Sequence, residues 1–224
     1  MMKPMSDRAW AFLRAFARRS IRKNADVTVE GIEHLPERGP VILVARHVHH
    51  QFDGEALLVT IPRPIHLIAA TDWATGRMMK VLLAFACRHA RWPTVIRRNS
   101  PFPIDQRERA RLNLRAMRES ITLLEEGRIV GIFPEGFPNV DRNPTPKKTD
   151  HDMLPFEPGF ARLAQFAASR GVHAPMIPVG FHYERGARWT MTMRFGPPIT
   201  FRERDKAGMI ADAEHAIRAL STPP

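Results

Sequence analysis

Apolar and polar positions change period several times along the chain. Between Arg8 and Lys23, Trp10, Leu13, Phe16 and Ala17 recur three or four apart, beside Arg8, Arg14, Arg18, Arg19, Arg22 and Lys23. That spacing predicts a basic amphipathic helix over Arg8–Lys23, capped by Ser6 or Asp7. Beyond it, short β-type runs at Val27–Val29, Val41–Ala45, Ile65–Ala70, Thr94–Ile96, Ile129–Phe133, Met176–Val179 and Thr190–Phe195 alternate with helical patterns. The helical patterns fall at Gly54–Val59, Thr75–His89, Gln106–Glu126, Gly159–Ser169 and Met209–Leu220. Within the Gln106–Glu126 segment, Ala110, Leu114, Met117, Ile121 and Leu124 form one stripe, and Gly127 is placed to end the helix. Strands and helices taking turns in this way predict an α/β fold with a largely parallel central sheet flanked by helices.

Two segments stand apart from the alternation. The basic N-terminal helix, residues 1–25, either lies in a membrane interface or docks on its own domain, since both uses need the same apolar stripe. Residues 26–224 form the main domain. Inside it, the stretch from Phe137 to Pro158 carries five prolines and no regular pattern. It exceeds the ~12–15 residues of an ordinary loop, and is expected to cap a site.

Composition narrows the classes. The 224 residues are 44% apolar, enough for a folded core, and carry a formal net charge of +11. That surplus favours polyanionic partners: nucleic acid, an anionic membrane surface or an acidic carrier protein. A nucleic-acid module would interleave aromatic and basic side chains on one face. Here Tyr183 is the sole tyrosine and Trp10, Trp73, Trp92 and Trp189 are scattered, so no nucleic acid is expected. The one cysteine, Cys87, excludes an internal disulfide and sits in an apolar run as a core residue. No apolar stretch approaches the ~20 residues that span a bilayer, and the start lacks a signal-peptide pattern. The expectation is a cytoplasmic protein, peripheral on the inner face of the cell membrane.

Candidate chemistry gathers at strand ends, where α/β folds bind ligands. After Val41–Ala45 comes Arg46-His47-Val48-His49-His50-Gln51-Phe52-Asp53-Gly54. A histidine held by a carboxylate is fixed in one tautomer, and its free nitrogen can act as a base toward an alcohol. His47 with Asp53 is the leading pair, with His49 and His50 open as alternative bases. Zinc on His47 and His49 is a rival reading, but the chain offers no clear cysteine or His-Glu ligand pair, and no metal is assigned. After Ile129–Phe133 comes the turn Phe133-Pro134-Glu135-Gly136, whose backbone can cradle an anion. After Thr94–Ile96 comes Arg97, whose planar fork suits a phosphate. Ile177-Pro178-Val179 completes the set as a further strand end.

In this order, the four segments resemble the lysophosphatidate acyltransferase (1-acylglycerol-3-phosphate O-acyltransferase) family. That family carries an Asn-His-x4-Asp block, an Arg-containing strand end, Phe-Pro-Glu-Gly and a Val-Pro-Val strand. Here they read Arg46-His47-x5-Asp53, Val95-Ile96-Arg97, Phe133-Pro134-Glu135-Gly136 and Ile177-Pro178-Val179. Gly159-Phe160-Ala161-Arg162-Leu163-Ala164 is similar to the helix that follows in the family, and the likeness spans about residues 27–200. The extra residue between His47 and Asp53 fits a loop bulge better than a strand. The resemblance implies a glycerolipid acyltransferase-like fold that moves an acyl group from a thioester to a lysophospholipid hydroxyl. It makes His47 the base, Asp53 its support, and Arg97, Glu135 and Gly136 the acceptor or phosphate site. The co-substrate would be acyl-CoA or acyl carrier protein, with no bound cofactor.

Two alternatives keep part of this chemistry. A catalytically degenerate lipid-binding protein of the same fold would share the segments without turnover. His49-x3-Asp53-Gly54 also resembles the motif of chloramphenicol acetyltransferase-like enzymes, a likeness that leaves Phe133-Pro134-Glu135-Gly136 without a role.

Overall fold

The structure is a computed structural model that describes residues 7–74, 76–100, 105–141, 143, 145–149 and 151–223. Its elements follow the alternation closely: α1 (Asp7–Asn24), β1 (Ala25–Glu30), β2 (Val41–Ala45), α2 (Phe52–Thr60), β3 (Ile65–Leu67), β4 (Ala69–Ala70), α3 (Arg77–Ala90), β5 (Thr94–Val95), α4 (Gln106–Glu125), β6 (Ile129–Ile132), α5 (Gly159–Ala168), β7 (Met176–Arg185), β8 (Trp189–Phe195) and α6 (Lys206–Leu220). Six strands form one sheet in the order β1-β8-β7-β2-β6-β3. Every pairing in it is parallel except β7 with β8. The predicted α/β class with a largely parallel sheet is the observed one.

Strand β2 shows why the sheet is central. Val41, Leu43 and Ala45 enter one apolar cluster, with α1 and α2 residues, while Ile42 and Val44 enter a second with α4, α5 and α6. A strand covered on both faces needs a continuous apolar run rather than alternation, and that is what positions 41–45 supply. Each fully buried Leu or Ile side chain contributes about 1.5–3 kcal/mol of transfer free energy. The fold therefore fixes the β2 C-terminus, where the chemistry-bearing segment begins, rigidly.

Element ends shift by up to three residues in several places, and three larger departures from the sequence reading stand out. The run Ile65–Ala70 is two strands, not one: β3 pairs with β6, then Ile68 N–H bonds Gly131 O and the chain switches to pair β4 with β5. The switch occurs because β6 ends at Ile132 and turns away, leaving β4 without a partner in the main sheet. The apolar stripe of α4 is buried only from Ala116 onward; Ala110 and Leu114 are exposed, because the first half of that helix projects beyond the second cluster. Strand β7 runs on to Arg185, six residues past its expected end, in a hairpin with β8. The expected cap Ser6 and the expected α3 start at Thr75 lie outside the described residues.

Helix α1 docks on the domain. Ala17 and Ile21 are buried in the first cluster, and the Arg14 guanidinium donates to the carbonyls of Leu58 and Val59 at the end of α2 (3.0 and 2.8 Å). Phe12 and Phe16 remain exposed. No helix among the described residues is long and apolar enough to cross a membrane.

Candidate active site

The segment after β2 leaves the sheet in steps. Arg46 N–H still bonds Val179 O of β7, His47 N–H donates to Glu135 Oε1 (2.8 Å), and the chain then turns into α2. Asp53 lies in the first turn of α2, where the helix dipole favours a carboxylate. Its Oδ2 receives His47 Nδ1 (2.9 Å), Val48 N–H (2.7 Å) and His49 N–H (3.0 Å). One oxygen thus closes the loop between strand and helix, and the extra residue of the His47-x5-Asp53 spacing is taken up inside it. Asp53 is wholly buried, and its other oxygen accepts the Tyr183 hydroxyl at 2.6 Å. Burial and the neighbouring Asp53 raise the Tyr183 phenol well above its ordinary range, so it stays a donor. Because Asp53 Oδ2 also accepts from two main-chain N–H groups, the shared proton belongs to His47 Nδ1, and Nε2 keeps its lone pair. The imidazole stacks on Phe133 with ring centroids 4.4 Å apart.

The three histidines part company. His47 lines a cavity of about 540 Å3; His49 and His50 do not. His49 is buried, stacked on Phe52 at 4.1 Å and edge-on to Trp189, and its Nδ1 accepts the N–H groups of Gln51 and Phe52 at the start of α2. Desolvation pushes its pKa down to about 4, so near neutral pH it is an uncharged helix cap. His50 is exposed with Nδ1 on Val140 O (3.1 Å). Among the described residues, no group of three or more His, Cys, Asp or Glu is arranged to hold a metal ion.

The Phe133–Gly136 segment is a β-turn closed by Gly136 N–H to Phe133 O (3.1 Å), with Gly136 at φ +73°. Its N–H is thereby used inside the turn. Glu135 is buried, and both of its oxygens meet protein donors: Oε1 takes His47 N–H, while Oε2 takes Leu154 N–H (2.9 Å) and Lys147 Nζ (2.6 Å). Arg97 is gripped by the buried Asp72 through Nε, donates from NH1 to Gly136 O (3.1 Å) and covers the Phe137 ring at 4.0 Å. Arg97, Glu135 and Gly136 all line the cavity with His47, as do the exposed Arg98 and Arg162. Its apolar lining comes from Ile68, Ile96, Met117, Ile132 and Leu163, among others. The expected cap contributes Pro146, Leu154, Pro155 and Pro158.

A profile described simply as Acyltransferase matches residues 26–182, over half the chain. The protein belongs to that acyltransferase family. A solved structure of similar fold is the 1-acyl-sn-glycerophosphate (LPA) acyltransferase PlsC from Thermotoga maritima, with a TM-score of 0.63 and 20% identity. That likeness covers 94% of this chain and 77% of the Thermotoga chain. The comparison with curated proteins returns no match.

Sequence reasoning passed over Tyr183, Asp72 and Lys147. Tyr183 lies on the part of β7 beyond the predicted strand, and Asp72 follows the unforeseen β3–β4 switch. Lys147 sits in a stretch without periodicity. Only the rarity of tyrosine in this chain offered a signal.

Proposed function

We propose that the protein transfers a fatty acyl group from an acyl thioester, acyl-CoA or acyl carrier protein, to the hydroxyl of a lysophospholipid or related glycerolipid. The observation that carries this reading is the joining of His47, tethered by buried Asp53, to a cavity lined both by arginines and by apolar side chains. His47 Nε2 takes the acceptor hydroxyl proton, the hydroxyl oxygen attacks the thioester carbon, and the C–S bond breaks. The departing sulfur recovers the proton from His47. Asp53 holds the imidazole and stabilises its charge. Arg97, oriented by Asp72, meets the phosphate or glycerol part together with the exposed Arg98 and Arg162. Glu135 and Gly136 shape that side of the cavity, Glu135 chiefly by holding the main chain of His47.

The acceptor lives in bilayers, and an anionic membrane surface is the proposed partner. Supporting this, α3 leaves Met78, Val81, Leu82 and Phe85 exposed, includes Arg77, Lys80 and Arg88, and has no acidic residue. It contacts α1, whose Phe12 and Phe16 are also exposed among basic side chains. The strands that precede and follow α3 in the chain supply Ala70 and Val95 to the cavity wall. The protein then works on the cytoplasmic face of the cell membrane.

The test offers lysolipids of different headgroup with each donor. Acyl transfer should appear with at least one pair, and His47→Ala should lower it by about 10²–10⁴-fold. Lysolipid binding without turnover by the unaltered protein would instead establish a degenerate lipid-binding protein, and full transfer by His47→Ala would remove the base from His47.

A further inference from the structure

Lys147 lies in the middle of the long segment between β6 and α5, 100 residues beyond the histidine it meets. Its ammonium is fully buried and makes three contacts: Glu135 Oε2 at 2.6 Å, His47 carbonyl oxygen at 2.7 Å and Asn139 Oδ1 at 3.0 Å. An ammonium has three protons, so these contacts use its donor capacity completely. Glu135, its ion-pair partner, accepts the N–H of the same His47 at 2.8 Å. A single buried ion pair therefore holds both main-chain polar groups of His47, the N–H through the carboxylate and the carbonyl through the ammonium. Desolvation lowers the Lys147 pKa and the Glu135 charge opposes that. Lys147 does not line the cavity, although its neighbour Pro146 does.

We infer that Lys147 is a positioning residue for His47, clamping its backbone so that formation of the 137–158 segment and alignment of the base are one event. Asp53 and Phe133 fix the imidazole ring, but a ring cannot be aimed if its Cα drifts. The Glu135–Lys147 pair removes that freedom. The surrounding contacts are coherent with this: Asn139 Nδ2 donates to the carbonyls of Thr149 and Asp152, and Val140 N–H donates to Val48 O. The segment is thus tied to itself through Asn139 and to the loop carrying the base through Lys147 and Val140.

The kinetic arm rests on the acyl-transfer reading; a spectroscopic arm does not. Lys147→Met is compared with Asn139→Ala, which removes two bonds inside the segment and one to the ammonium but leaves the ion pair and the hold on the His47 carbonyl. If Lys147→Met does not fold, Glu135→Gln/Lys147→Met replaces it, since removing both charges leaves neither buried unpaired. The expected result is a kcat lower by about ten- to a hundredfold with KM for donor and acceptor within about twofold, and a much smaller loss in Asn139→Ala. The low-field proton resonance of the His47–Asp53 hydrogen bond, assigned by its loss in His47→Ala, should broaden or shift in Lys147→Met alone. Equal kcat losses in the two variants, a change in KM only, or an unaltered resonance would each overturn the clamp. Should the unaltered protein transfer no acyl group, the proposed function falls and the resonance alone decides.

Discussion

At the scale of single residues, the carboxylate of Asp53 does more than hold an imidazole. It gathers three donors on Oδ2 and the Tyr183 hydroxyl on Oδ1, so its orientation is set from two elements at once. Tyr183→Phe keeps the ring, which packs near His49 and Trp189, and removes only the hydroxyl. A hydrogen bond to a charged group contributes about 1.5–3 kcal/mol. We expect a loss of that order in a denaturant titration and a severalfold drop in kcat; unchanged values in both would show that Asp53 needs no second support. The pairing of His47 with Asp53 was legible from residue types alone. Tyr183, Asp72 and Lys147 were not, because each reaches the site through long-range packing that leaves no local spacing. The different surroundings of the three neighbouring histidines were not legible either: His49 disappears beneath Phe52 and Trp189, which no reading of adjacent positions reveals.

At the scale of elements, most helices and strands were readable because their apolar periods match the layers that cover them. The departures come from what lies beside or above a segment, which its local pattern does not carry. Ile65–Ala70 reads as one strand, yet its two halves pair with different sheets. Helix α4 carries a full apolar stripe, but its first half has no layer above it. The two helices with the most conspicuous exposed apolar side chains, α1 and α3, invite a direct comparison. Since Ala17 and Ile21 are buried, deleting α1 would damage the domain, whereas Leu82 and Phe85 can be changed from outside. Leu82→Glu/Phe85→Glu should weaken co-sedimentation with vesicles of anionic phospholipid several-fold and leave the melting temperature intact. Unchanged vesicle binding would exclude α3 as a contact face. High salt should weaken binding by the unaltered protein, as screening of its basic side chains requires.

At the scale of the whole molecule, two histidines bear on how stability depends on pH. His49 and His66 are both buried, and desolvation drives each from 6.5 down to about 4. Unfolding exposes them and restores ordinary basicity, so between those values the unfolded chain binds more protons than the folded one. Their contribution is complete above about pH 6.5 and is lost progressively as the pH falls toward 4. Urea titrations at pH 7 and pH 5 should show lower stability at pH 5. His66→Gln should make the difference smaller, and a slope identical to that of the unaltered protein would contradict this account. The net charge of +11 adds self-repulsion as carboxylates protonate and acts in the same direction.

The pairing of β1 sets an order of events during synthesis. Among the described residues, β1 finds its sheet partner only in β8, with Ala25 opposite Trp189 and Glu30 opposite Arg194. A strand made among the first thirty residues thus waits for one made some 160 residues later. At ~5–20 residues per second of translation, that is a delay on the order of ten seconds or more. Throughout it, the backbone groups of Ala25–Glu30 have no ladder to join, a condition that favours association with other nascent chains. The closing of the C-terminal hairpin pairs one edge of β1, which stays the outermost strand of the sheet, so a chain released before β8 is made would carry that strand with both edges unpaired.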